Sequence, residues 1–153
     1  MKRRTLLKST LVFGATSIAA TISTLTPKAV LADWSEAAFA AKSVNDAMLE
    51  SMGSNSSTDS GAITLTVPDT PENAATVPVE VATTLPNVSA IAVLVDKNPR
   101  ALCGIYRLGK LMKPEVTVRI KVAETSNIIA VVKSDGKLFT ASKNVKVTIG
   151  GCA

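Results

Sequence analysis

The chain has 153 residues, a formal net charge of +5 and no histidine. The missing histidine excludes Ser-His-Asp and Cys-His catalysis and His-ligated zinc or copper. One tryptophan, one tyrosine and three phenylalanines leave little to line a deep pocket.

The first residues place Arg3 and Arg4, within Lys2-Arg3-Arg4-Thr5-Leu6-Leu7-Lys8, ahead of an apolar, small-residue stretch over 11–25. Val30-Leu31-Ala32 then offers small or branched residues at the positions a signal peptidase reads. The pattern predicts a twin-arginine-type signal peptide over 1–32 and a periplasmic protein. The stretch is short for a span and rich in Ser, Thr and Ala, so no membrane association is expected after cleavage. The leader holds five bases and no acids, which leaves twelve of each in the remainder. With net charge removed, nucleic-acid binding loses its main support. The remaining charge is still divided: 33–96 carry nine acids and one base, 97–153 eleven bases and three acids. A basic C-terminal half suits an anionic substrate or an acidic partner, the alternative being ordinary solvated charge.

Beyond the leader, about 120 residues are the size of one domain. Residues 33–52 predict one helix: Asp33 and Glu36 have capping-box spacing, and Trp34, Ala38, Ala41, Val44 and Met48 recur on one stripe before Gly53. The polar run 54–61 reads as a flexible linker. Alternating or apolar segments at 63–67, 77–83, 88–95, 115–122, 127–133, 137–142 and 144–149 predict seven short strands, with Ser134-Asp135-Gly136 as a hairpin turn. Strands in this number predict a mainly β domain over 62–149, an immunoglobulin-like antiparallel β-sandwich, with 150–153 as a C-terminal arm.

The remaining chemistry is sulfur. Cys152 comes after Gly150 and Gly151 beyond the last predicted strand, a stem whose glycines let the backbone swing. A thiol so placed reads as a reactive group presented to other proteins. Its thiolate is the reactive form; Lys143 and Lys146 would favour the anion, and a terminal carboxylate on Ala153 would oppose it. Cys103, in the apolar run Leu102-Cys103-Gly104-Ile105-Tyr106, is the second cysteine of a chain expected to be exported. A structural Cys103–Cys152 disulfide therefore stays open beside the carrier reading, as does a disulfide-linked homodimer through Cys152. No CxxC, phosphate loop or metal-ligand spacing is present, so neither catalytic residues nor a cofactor are expected.

The ending Val145-Lys146-Val147-Thr148-Ile149-Gly150-Gly151-Cys152 resembles the C-terminal signature of the SoxY family, sulfur-carrier subunits of the periplasmic thiosulfate-oxidising Sox system. Phe39-Ala40-Ala41-Lys42-Ser43, Pro68-Asp69, Glu72-Asn73, Asp96-Lys97-Asn98-Pro99, Arg119-Ile120-Lys121-Val122-Ala123 and Thr125-Ser126 agree in order. Where the family continues past the cysteine as Gly-Gly, Ala153 stands here. The resemblance implies an immunoglobulin-like fold, a heterodimer with a SoxZ-like subunit, and Cys152 as the covalent attachment site on a Gly150-Gly151 swinging arm. It further implies three enzyme partners: a c-type cytochrome that couples thiosulfate to the thiol, a hydrolase that releases sulfate, and proteins that process the sulfane sulfur. Two other readings are a structural or adhesive sandwich bridged through Cys103, and a related orphan carrier with a different sulfur donor.

Overall fold

The computed structural model describes residues 35–148, which lie within one compact unit. The single helix expected over 33–52 is two: α1 spans Glu36–Ala40 and α2 spans Val44–Met52. Ser35 caps the first, its Oγ accepting the Ala38 N–H at 3.2 Å, while Asp33 of the expected capping box lies outside the described residues. Ala41 leaves the helical region, and Ser43 restarts it by accepting the Asp46 N–H at 3.0 Å. Serine competes for backbone donors outside the helix and so favours caps over interiors. Gly53 ends α2 at φ +80, a left-handed cap open to glycine, and Lys133 Nζ donates to the freed Met52 carbonyl at 2.9 Å.

Eight strands come next among the described residues: β1 Ser57–Asp59, β2 Ile63–Thr66, β3 Val77–Thr83, β4 Val88–Val95, β5 Leu102–Arg107, β6 Glu115–Ile120, β7 Ser126–Ser134 and β8 Lys137–Val145. They form a five-stranded sheet, β1-β8-β7-β4-β5, and a three-stranded one, β2-β3-β6. The predicted two-sheet sandwich is present, with three changes. Part of the expected linker is β1, which pairs in parallel with β8 through Ser57↔Leu138 to Asp59↔Thr140. All three of its residues are exposed, so no hydrophobic alternation marks it. β5 stands in the sequence only as an apolar context for Cys103; its residues are buried or half-buried on both faces until Arg107, so they do not alternate either. Finally, 144–149 is not a strand of its own. β8 runs unbroken to Val145, and residues 146–148 lie outside any strand. Asp135 (φ 48) and Gly136 (φ 76) make the tight turn that joins β7 to β8.

Three layers result. Ile91, Val93 and Val95 of β4 point into the core between the sheets, with Val77, Val79, Val81, Ile128, Ala130, Val132 and Val145. Ala90, Ala92 and Leu94 face the other way, onto Ala38, Ala47, Met48 and Met52 of the helices. Coverage of both faces explains why β4 is continuously apolar rather than alternating. Residues 57–69 run beside β8 and cross from one sheet to the other. Ser60 donates its N–H to Thr140 O, Lys143 Nζ reaches Val67 O, and the Lys146 N–H reaches Asp69 O. This seam joins the two sheets along the strand that leads to the C-terminus.

Candidate functional site

Cys152, Gly150 and Gly151 lie outside the described residues, as do Arg3 and Arg4. The described residues reach the root from which the terminal segment departs. The last rung of the β7–β8 ladder is Ser126↔Val145. One residue further, the Lys146 N–H donates to the Asp69 carbonyl at 2.8 Å. Val147 is then held by a single side chain: its N–H donates to Thr125 Oγ1 at 3.0 Å, and Thr125 Oγ1 donates to its carbonyl at 3.4 Å. The Val147 side chain packs half-buried against the sandwich core. Thr148 is exposed.

The loop that carries Thr125 is itself tied down. Asn98 Nδ2 donates to Lys121 O at 2.8 Å, and Asn98 Oδ1 accepts the Ala123 N–H at 2.9 Å. Val122 donates to Ala74 O at 2.8 Å. Beside it, Asp96 takes both the backbone and side-chain N–H groups of Asn127, at 2.9 and 2.7 Å, and Asn144 Nδ2 donates to Asn127 Oδ1 at 2.9 Å. Short polar side chains thus finish the ladders where the strands stop, bonding to nearby backbone groups.

The two lysines expected to act on the thiol differ in circumstance. Lys143 Nζ is engaged by Asp69 Oδ1 at 3.0 Å and by Val67 O. Lys146 is exposed and meets Asp69 only through its backbone. Lys97, Arg100 and Lys121 are exposed around the Asn98 turn, with the exposed acids Glu124 and Asp69 at the same end of the sandwich.

Cys103 is a free thiol near the start of β5, packed half-buried against the core, with Asn98 Nδ2 3.8 Å from its sulfur. Burial pushes its pKa up to about 11, against the smaller downward pull of Asn98. Burial, and then the nearby Cys103, also raise the Tyr106 phenol. A thiol so held stays protonated at neutral pH and is a weak nucleophile. Cys152, its partner in the alternative bridged reading, is among the residues not described. At the far end of the sandwich, an open cavity of about 730 Å³ is lined by Leu85, Val88, Leu108, Met112 and Pro114. None of the predicted site residues lies there. No group of three or more His, Cys, Asp or Glu that could hold a metal stands together among the described residues.

Fold and site together define a small β-sandwich module that secures its last strand, and the two residues after it, up to the edge of a terminal Gly-Gly-Cys segment. The chain belongs to the SoxY family: the family model described as sulfur oxidation protein SoxY matches residues 48–152, through the terminal cysteine. Among solved structures it is similar to the sulfur carrier protein SoxY from Chlorobium limicola f thiosulfatophilum. That likeness has 38% identity and a TM-score of 0.62, and covers 68% of this chain and 94% of that one. Superoxide reductase (neelaredoxin) from Ignicoccus hospitalis matches at 18% identity and a TM-score of 0.51, over 57% of this chain and 80% of that one; its T24K form matches equally. At that identity the likeness is one of fold alone. No curated protein matches the chain.

Thr125, Asp69 and Asn98 stand in the sequence only as fragments of a resemblance, without roles. A Thr-Ser pair directly before a strand and an Asp-x-Asn-Pro turn were the available signals, since such residues bond to stray backbone groups.

Proposed function

We propose that this protein is a covalent carrier of sulfur in thiosulfate oxidation, with Cys152 as the attachment site and Gly150-Gly151 as the arm that presents it. The observation that carries the reading is the family match running through residue 152, on a chain whose secured portion reaches Val147. The strand and the two residues before Thr148 are anchored to the sandwich, and the segment beyond them carries a thiol on two glycines.

The chemistry asks little of the carrier itself. The Cys152 thiol and thiosulfate join as a cysteine S-thiosulfonate, forming one S–S bond and releasing one proton and two electrons. A c-type cytochrome partner takes the electrons. Water, activated by a hydrolase partner, then cleaves the terminal S–SO₃ bond; sulfate leaves and a persulfide remains on Cys152 for sulfane-processing partners. Each adduct is anionic, which suits the basic C-terminal half of the chain, with eleven bases against three acids over 97–153. The protein is not itself the catalyst in this scheme and needs no cofactor. A SoxZ-like subunit completes a heterodimer, and the twin-arginine leader directs export to the periplasm.

Intact-protein mass spectrometry tests this. Incubation of the mature heterodimer with thiosulfate and its cytochrome partner is expected to add one thiosulfate-derived group, mapping to Cys152. An unmodified Cys152 under turnover, or a Cys103–Cys152 bridge throughout, would refute the carrier role.

A further inference from the structure

The strand that leads to the terminal segment does not simply fray. After the Ser126↔Val145 rung, antiparallel pairing would next set Thr125 opposite Lys146. The Thr125 backbone does not continue the ladder; its hydroxyl instead takes both main-chain groups of Val147, at 3.0 and 3.4 Å. A hydroxyl can do this because it is a donor and an acceptor at once. On the other side, the Asp69 carbonyl takes the Lys146 N–H at 2.8 Å. The Thr125 loop is made stiff by Asn98, which bonds to both Lys121 and Ala123.

We propose that Thr125 is a positioning residue for the carrier arm, a clamp that sets its pivot between Val147 and Thr148. This rests on the carrier reading and adds where the arm begins. Counted from the clamp, five residues lead to the thiol, which at 3.3–3.6 Å per extended residue would allow a reach of roughly 17 Å. Without the clamp, the pivot retreats to Lys146 and the departure direction is no longer set. A longer, unaimed tether lowers the concentration of its tip at any one partner site, so delivery suffers while the thiol itself does not change.

The experiment uses the full mature heterodimer with Thr125→Val, which keeps the side-chain shape and loses the hydroxyl, and with Thr125→Ser, which restores it. Amide exchange at Val147 should quicken about five- to tenfold in Thr125→Val, while the Val132 amide inside β7 is unchanged. Partner-catalysed thiosulfate loading should lose about three- to tenfold in kcat/KM, with the rate of direct alkylation of Cys152 by iodoacetamide unaltered. Thr125→Ser should recover both. If Val147 exchange and loading are the same in Thr125→Val as in the natural protein, the clamp is refuted. If alkylation falls in step with loading, the effect is on the thiol and the positioning role is likewise refuted. Should the natural protein take up no sulfur, the carrier reading fails, and Val147 exchange still decides whether Thr125 holds the root.

Discussion

Asp69 meets the end of the described chain twice: its carboxylate lies 3.0 Å from Lys143 Nζ in β8, and its carbonyl accepts the N–H of Lys146, the residue just after that strand. One residue of the β2–β3 connection therefore secures β8 by charge and the residue after it by backbone, at positions three apart. The two contacts differ in worth. The Asp69 side chain is 82% exposed and that of Lys143 38%, so water screens the ion pair, whereas the main-chain bond survives any change of side chain.

Asp69→Ala accordingly lowers stability by less than about 1 kcal/mol. Urea unfolding of the two proteins side by side measures it. A larger loss would mean that the pair anchors β8 beyond what its exposure allows.

Asn98→Ala removes a donor to Lys121 O and an acceptor for the Ala123 N–H, and it should destabilise by about 1–3 kcal/mol. Because the same loop carries Thr125, Val147 exchange should also quicken. A destabilised protein with unchanged Val147 protection would show that the Asn98 ties and the Thr125 clamp are independent.

The pKa of Cys103, raised to about 11 from 9.0, fixes a pH dependence. The unfolded thiol loses its proton near 9 and the folded one near 11, so in this window the native state binds more protons and stability falls as pH rises. Below pH 9 Cys103 contributes no slope. Cys103→Ala should flatten the fall between pH 9 and 11, as followed by denaturant midpoints across that range. In the natural protein at about pH 7.5, alkylation should mark Cys152 long before Cys103; equal rates would contradict a buried, protonated thiol.

Cys152→Ser should abolish thiosulfate loading and leave the circular dichroism spectrum and unfolding midpoint unchanged. Proline at Gly150 and Gly151 should slow delivery to partners by stiffening the arm. Loading retained by the serine variant would end the carrier proposal, and unaltered delivery by the proline variant would remove the arm's flexibility from it.

Met48→Ala probes the helical layer, on the face of the five-stranded sheet opposite the core against which Val147 packs. Met48 is 3% exposed in the cluster that seats the helices on the five-stranded sheet, so its truncation should cost about 2–5 kcal/mol. Thiosulfate loading below the unfolding transition should be unaffected, as enzyme-coupled assay would show.

The β-sandwich was legible because several strands repeat every second residue, as 77–83 does in β3, and because the unbroken apolar run 88–95 coincides with β4, whose two faces are both covered. The helix was legible as a stripe but not as two pieces, because the periodicity of apolar residues passes over Ala41 while Ser43 is set to cap. β1 was illegible for a different reason: an exposed three-residue strand is held by its neighbour's backbone, and its side chains carry no pattern. The same holds at the root of the arm. Thr125 and Val147 are 22 positions apart, and nothing in either segment alone says that a hydroxyl from one ends the ladder of the other.

Residue type and order by themselves carry the chemistry proposed for this protein: a histidine-free chain with a cysteine on two glycines, a basic C-terminal half and the signature of its family. Those are local properties, readable without any fold. Where the arm begins, and which residues hold it, is a matter of packing. Asp69, Asn98 and Thr125 meet the last strand or its neighbouring loop across long stretches of chain, and such meetings exist only once the sheets have packed and brought the loops to one end.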